Sequence, residues 1–412
     1  APTNGLYVVE TPIIGRTGLA IKGASRNVEL QAKNVAAMKG VNQGVAGTGP
    51  VFVLDFLDCN RVLIEGISID CNEVKGSGGI RQRRKQTGYI IPGSRSFSTI
   101  QHNFVRRYQA HAYAQGEDID ADNNAATSNC WWIANGAAGG VAGSGGFTDI
   151  AAAYGMFVGD AFVLAPQVSN PTVGYAMLVK GGATRVVGGH LASGDRENVR
   201  IAGSHDNSTF TDVYLDNISG GFPGIRIKPD ASQGLADLRF SVFVNGSDDT
   251  YQSTDLIWLD ASASGSGIEG VTLDGITGTG GGPSGPLRSI VHREALGSGG
   301  AFVNEITLMN MKIKNCNSIY HGFTPDYAEN VRIMAGNTVP GTWTYSDNKG
   351  VTGSISSGST VTHKIAGTPR MVLINPLFSG ATDAYVDTIN GTSFKINFGG
   401  GGSGAFAWRA YL

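Results

Sequence analysis

The stretch Gly224-Ile225-Arg226-Ile227-Lys228 alternates apolar and cationic residues, and it repeats the pattern of Asn198-Val199-Arg200-Ile201 one short interval upstream. Alternation with a period of two marks a strand that has one face in a core and the other in water. Related runs are Gly155-Met156-Phe157-Val158-Gly159, Tyr175-Ala176-Met177-Leu178-Val179, Leu256-Ile257-Trp258-Leu259-Asp260, Ser289-Ile290-Val291-His292 and Ser318-Ile319-Tyr320-His321. With Met156, Ala176, Val199, Ile225, Ile257, Ile290 and Ile319 as markers, the steps are 20, 23, 26, 32, 33 and 29 residues. A second strand set interleaves with the first. It begins with Asn60-Arg61-Val62-Leu63-Ile64-Glu65-Gly66, and its later markers Val213, Leu238, Val271, Ile306 and Val331 step by 25, 33, 35 and 25. Two interleaved strand sets at a loose, variable period predict a coiled solenoid whose loops absorb insertions. A βαβ fold would need ten or more helical residues between strands, which the sequence does not supply. A β-sandwich is the alternative all-β reading.

Composition agrees with many tight turns around a large core. Of 412 residues 61 are glycine, 41% are hydrophobic and only 16% are charged. Disorder is excluded by the apolar content, and collagen by the lack of a glycine triplet. Acids number 33 and bases 31, so the formal charge of −2 gives no bias towards nucleic acid or an anionic membrane. No run approaches the ~18 uninterrupted apolar residues of a spanning helix, so no membrane insertion is expected. Cys59, Cys71, Cys130 and Cys316 form no CxxC pair and have no histidine at zinc-finger spacing. They read as small buried thiols, with one disulfide left open. Residue 1 is alanine with no charged and apolar leader after it, so the chain is expected to be processed or excised. From about Asn337 the character changes, and Thr392–Phe398 with Ala405–Leu412 forms a hairpin pattern around a glycine-rich turn. The expected division is a solenoid body over 1–340 and a separate β module over 341–412.

The repeated Asn-Val-x-Ile/Leu-x-Gly strands resemble those of right-handed β-helices of the pectate-lyase-like class. The opening Gly5–Gly23 is similar to the first coils of bacteriophage tailspike depolymerases. The resemblance implies an all-β, right-handed parallel β-helix with a small C-terminal β-sandwich-like module. It further implies a homotrimer on the virion tail, outside the cell, that cleaves a bacterial surface polysaccharide (O-antigen, capsule or exopolysaccharide) internally. No cofactor and no metal are expected. In that family a capping helix and an attachment domain come first, so this chain reads as the catalytic body. Its last module would cap the solenoid, help trimerise it or bind sugar.

Within the first strand set, alternation directs Ile225 and Ile227 inward and Arg226 and Lys228 outward. The same reading places Arg200, Trp258, Asp260, Arg293 and Tyr320 outward, stacked on consecutive coils. Sugar rings lie on aromatic faces and guanidinium groups hold carboxylates, so this stripe suits an extended acidic or N-acylated glycan. Glycoside hydrolysis needs an acid for the leaving oxygen and a second carboxylate. Asp230, Asp260 and Glu294, on three successive coils, are the expected catalytic residues. A lyase would use the same platform differently, with Arg226, Lys228 and Arg293 neutralising a uronate and Lys228, His292, His321 or Tyr320 as base. Alternation, however, puts His292 and His321 inward. His205 and Asp206 form a more exposed pair able to orient a base or touch substrate. A glycan-binding adhesin, with the stripe but without converging carboxylates, is the third reading. Asp118-Ile119-Asp120-Ala121-Asp122 lacks the glycine and glutamate of a calcium loop and reads as a polar loop. The basic run Arg81–Lys85 reads as an excursion from a coil, and no second basic or aromatic platform accompanies it to suggest nucleic acid.

Overall fold

The structure, a computed structural model, describes residues 6–10, 13–23, 29–33, 51–57, 59–73, 76–83, 97–116, 130–140, 152–157, 159–169, 174–192, 196–216, 222–246, 255–280, 286–322, 332–334, 347–363, 365, 368–400 and 402–411. Among them there is no helix. The stretch around Ile225 is the strand Ile225–Pro229, lying between Val199–Gly203 and Asp255–Leu259 in a parallel sheet of eleven strands. Between one strand of this sheet and the next, the chain passes through a second sheet of twenty strands. From His205 onward it also passes through a third, four-stranded sheet. The chain therefore climbs one strand per circuit as a right-handed parallel β-helix, the crossover sense that twisted strands favour.

Alternation fills the interior. In the eleven-stranded sheet Met177, Val199, Ile225, Ile257 and Val291 stand in register, and beside them run Val179, Ile201, Ile227 and Leu259. All nine are fully buried, each worth ~1.5–3 kcal/mol over exposure. The second sheet turns a corner within each circuit, and that corner is left-handed: Gly66 (φ 68°), His102 (56°), Ala134 (50°), Ala165 (47°) and Gly188 (63°) follow strands paired in register. Two circuits complete the corner with buried amides. Asn103 donates from Nδ2 to the Ile64 carbonyl and Asn135 to that of Ile100, while each side-chain oxygen accepts a backbone N–H from the circuit below. All four cysteines are buried, and none forms a disulfide with another.

The last parallel strand described is Arg332–Ile333, and from Asp347 pairing is antiparallel. Three small sheets form there, and Phe378, Phe398 and Phe406 pack with ring centroids 5.1–5.6 Å apart. Phe394 and Trp408 meet edge to face beside them.

Candidate functional site

The outer face of the eleven-stranded sheet carries the chemistry. Backbone register aligns Leu178, Arg200, Arg226, Trp258, His292 and His321 in one outward column. Two residues further along each strand runs a second column. Ala202 pairs with Lys228, and the amides of Asp260 and Glu294 bond to the carbonyls of Ile227 and Leu259, which extends this column to both acids. Neighbouring strands are ~4.8 Å apart, so side chains in a column touch.

At the cationic end Arg226 is the hub. Its Nε and Nη2 donate to Asp260 Oδ2 at 2.9 and 2.5 Å, and its Nη1 reaches Glu197 Oε1 at 3.4 Å. Arg200 Nη1 holds the same Glu197 oxygen at 3.1 Å, and Lys228 Nζ lies 3.3 Å from Asp260 Oδ2. The Ser262 hydroxyl and amide close on Asp260 Oδ1. Burial pushes the Asp260 carboxyl up, but the Ser262 hydroxyl, Arg226 and Lys228 together outweigh it and bring it down to about 2. Its folded value lies below the free value of 3.8, so the cluster stabilises the coil above that pH and loses the effect as pH falls towards 2. Thermal unfolding across this window is expected to show a steeper acid limb for the wild type than for Asp260→Asn.

Trp258 is fixed between the two ends. Its indole nitrogen donates to Asp255 Oδ2 at 2.9 Å, and Arg226 lies over its ring at 5.1 Å. Asp255 is fully buried and also holds Arg288, through Nε at 3.0 Å and through Nη2, and the Ser289 hydroxyl at 2.6 Å. The edge of His292 meets Trp258 with centroids 5.5 Å apart. His292 Nε2 faces Glu294 Oε2 at 3.3 Å, and its Nδ1 faces His321 Nδ1 at 2.9 Å. An ionised Glu294 only accepts, so His292 carries its proton on Nε2 and accepts through Nδ1. His321 must then donate from Nδ1, which leaves the lone pair of its Nε2 unprotonated. Partial burial, with the charges of Arg288 and His292, holds the His321 imidazole below its ordinary pKa against the opposing pull of Asp255. The arrangement is an exposed imidazole held in one tautomer by the chain from Glu294 through His292, with a guanidinium nearby.

Several sequence expectations change. His292 and His321, expected inward, stand in the outward column. Tyr320, expected outward, pairs with inward Val291 and packs against the core, and Arg293 pairs with inward Leu259. The cause is a one-residue slip. Ile290 and Ile319 served as inward markers, yet Val291 and Tyr320 are the residues in line with Ile257, although Ile290 and Leu256 are fully buried as well. Shifting a strand by one residue exchanges its faces. His205 is not an exposed base: both ring nitrogens are buried, and burial lowers its pKa to about 4 against weaker opposing contacts with Val179 and Asp206. Asp206 is exposed, in the four-stranded sheet next to Ala236. Asp260 is sealed, its side chain only 1% exposed, whereas that of Glu294 is 40% exposed. Asp230 is exposed just beyond Pro229. Arg81 belongs to a strand and forms a buried ion pair with Asp55 at 2.7 Å rather than opening an excursion. Asp118–Asp122, Val331, Arg84 and Lys85 lie outside the described residues, as does Asp195, a further strand-end carboxylate that the sequence places near Glu197 and Asp206.

Glu197, which the sequence offers among the carboxylates at the strand ends, completes the site together with Arg288 and Asp255, which were not singled out from the sequence. The only signal was their charge beside otherwise apolar strands. Among the described residues no group of three His, Cys, Asp or Glu side chains is gathered to hold a metal ion, and no helix is long and apolar enough to cross a membrane.

Neither a protein-family model nor a curated protein matches the sequence. Among solved structures, the A-module of a mannuronan C-5 epimerase from Azotobacter vinelandii is similar at 11% identity, over 82% of this chain and 91% of its own, with a TM-score of 0.42. A tailspike protein of Pseudomonas phage LKA1 is similar at 10% identity, over 95% of this chain and 67% of its own, with a TM-score of 0.43. The tailspike of Pseudomonas phage phi297 is similar at 12% identity and a TM-score of 0.39; the match takes in 96% of this chain and 64% of that one. The likeness is one of fold.

Proposed function

We propose that this chain cleaves an acidic bacterial surface polysaccharide along the outer face of its eleven-stranded sheet, by β-elimination at a uronate. The observation that carries the reading is the Glu294–His292–His321 chain beside Arg288. In this mechanism Arg288 neutralises the uronate carboxylate and lowers the acidity barrier at C5. His321 Nε2 takes the C5 proton, the C4–O4 bond breaks, and a C4–C5 double bond forms. The departing oxygen collects a proton from the imidazolium or from water, which balances the step. His292 and Glu294 hold the base in its tautomer. Arg200, Arg226 and Lys228, up to several coils away, bind carboxylates of flanking sugars, and Trp258 forms the wall between. Asp260 serves as the anchor of these cations and not as an acid, since a sealed carboxylate near pKa 2 has no proton to give at neutral pH.

Hydrolysis is the second reading, favoured by the exposure of Glu294 and Asp230, which lie two coils apart. Strand spacing puts their Cα atoms ~12 Å apart, at the far edge of inverting geometry once side chains lean together. The sequence resemblance extends either reading to a homotrimeric tailspike depolymerase on a virion tail.

Digestion of uronate-containing capsular polysaccharides separates the readings. Elimination is expected to release chains ending in an unsaturated uronate, seen by ultraviolet absorbance and mass. New reducing ends with no unsaturation would establish hydrolysis instead. Retention of the glycan with no new ends would leave an adhesin.

A further inference from the structure

The second sheet carries an aromatic rail that the groove does not use. His190, Tyr214 and Phe243 stand in register on its outer face, with centroids 5.2 Å apart at each step and the last two rings nearly parallel at 11°. Beside them Asp216 and Asn245 form a polar row. Asp216 faces His190 Nε2 at 3.2 Å and accepts from Asn245 Nδ2 at 3.2 Å, which fixes both polar groups. The rail then stops. On the next coil the two columns hold Thr277 and Thr279, and on the one after that Lys312 and Lys314. Gly278 between the threonines has φ +127°, and a Cβ there would lie 2.0 Å from the Val244 carbonyl, so only glycine fits at this position. Phe243 is 44% exposed although Tyr214 covers one of its faces, and its other face is turned towards Thr277 on the next coil. Both lysines are exposed, and neither makes an ion pair among the described residues.

We propose that this notch is a second saccharide site, separate from the groove, that takes an acidic sugar. It is one coil wide, with ~10 Å between the flanking backbones. A pyranose ring lies with its C–H face on Phe243, its hydroxyls meet Asn245 and the two threonines, and its carboxylate points to Lys312 and Lys314. The occupant is a uronic acid because the notch pairs one open aromatic face with two uncompensated cations at the distance of a single ring. Binding here would hold the polysaccharide to the body while the groove works on another stretch of it, raising its effective concentration.

The test is affinity electrophoresis of the full chain through gels containing polygalacturonate, alginate or dextran. It is run in a Trp258→Ala/His321→Ala background, which removes cleavage and the aromatic wall of the eleven-stranded face and leaves its cations the same in every variant compared. The background protein is expected to be retarded by at least one polyuronate and not by dextran. Adding Phe243→Ala should weaken that retardation about tenfold with the lysines intact, and Phe243→Leu, which keeps apolar volume without the ring, should do nearly the same. No retardation of the background overturns the site. So does retardation lost with Lys312→Ala/Lys314→Ala but unchanged by Phe243→Ala, since that is charge attraction alone. The groove reading stands or falls separately, on the products of wild-type digestion.

Discussion

His321→Ala is expected to lower glycan cleavage by about 10²–10⁴-fold while the protein stays folded and retains the polysaccharide. The side chain is exposed at the end of its column and supports no core contact, so a loss of rate is not a loss of fold. Its Nε2 is the one ring nitrogen in the chain from Glu294 that no neighbour among the described residues occupies. Because His321 must be neutral to accept a proton, and its pKa is held below the ordinary 6.5, wild-type cleavage should fall only on the acid side of that value. Glu294→Gln should act in the same direction but more weakly, because a neutral amide no longer forces the His292 proton onto Nε2. The pH profile separates it from a structural effect: the acid limb should move, whereas simple unfolding would scale the whole curve. Cleavage by His321→Ala at near wild-type rate, with Glu294→Gln inactive, would sink the elimination scheme and return the carboxylates to the centre.

Arg226→Met is expected to cost about 3–5 kcal/mol of stability, a large effect for one substitution on an outer face. Methionine keeps the apolar stem, so the loss is electrostatic. Asp260 and Glu197 are both sealed, with side chains 1–2% exposed, and Arg226 bridges them. Without it Asp260 retains only Lys228 and Ser262, and Glu197 only Arg200. The double variant Arg226→Met/Asp260→Asn should recover much of the loss, because it removes the stranded charge along with its partner. Denaturant midpoints of the four proteins close the cycle. Equal destabilisation by the single and double variants would show that packing, not charge, is at stake.

The cationic column follows from a feature already visible in the primary structure. Arg200, Arg226 and Lys228 were legible as an outward stripe because clean alternation on the strands at Val199 and Ile225 admits only one register, and Trp258 joined them as the residue after the marker Ile257. The reading broke at the strand Ser289–Arg293, where Ile290 and Val291 are both apolar and both buried. Two adjacent apolar residues carry no phase. Only pairing of Val291 with Ile257 decides which of them faces the axis, and with it whether His292 faces water. The fate of Asp260 was hidden for a related reason: a carboxylate at a strand end reads as accessible until the neighbouring coils are seen to press Arg226 and Lys228 onto it.

By itself, then, the chain order of apolar, polar and glycine residues determined a parallel solenoid, its approximate circuits and the face on which charge collects. These are local properties, set by side-chain period and turn chemistry within each strand. The coupling of Glu294 to His292 and His321, the sealing of Asp260, and the notch between Phe243 and Lys312 were decided only by tertiary structure. Each joins residues from different circuits, 27 to 69 positions apart, and their meeting depends on strand register, which no single strand encodes.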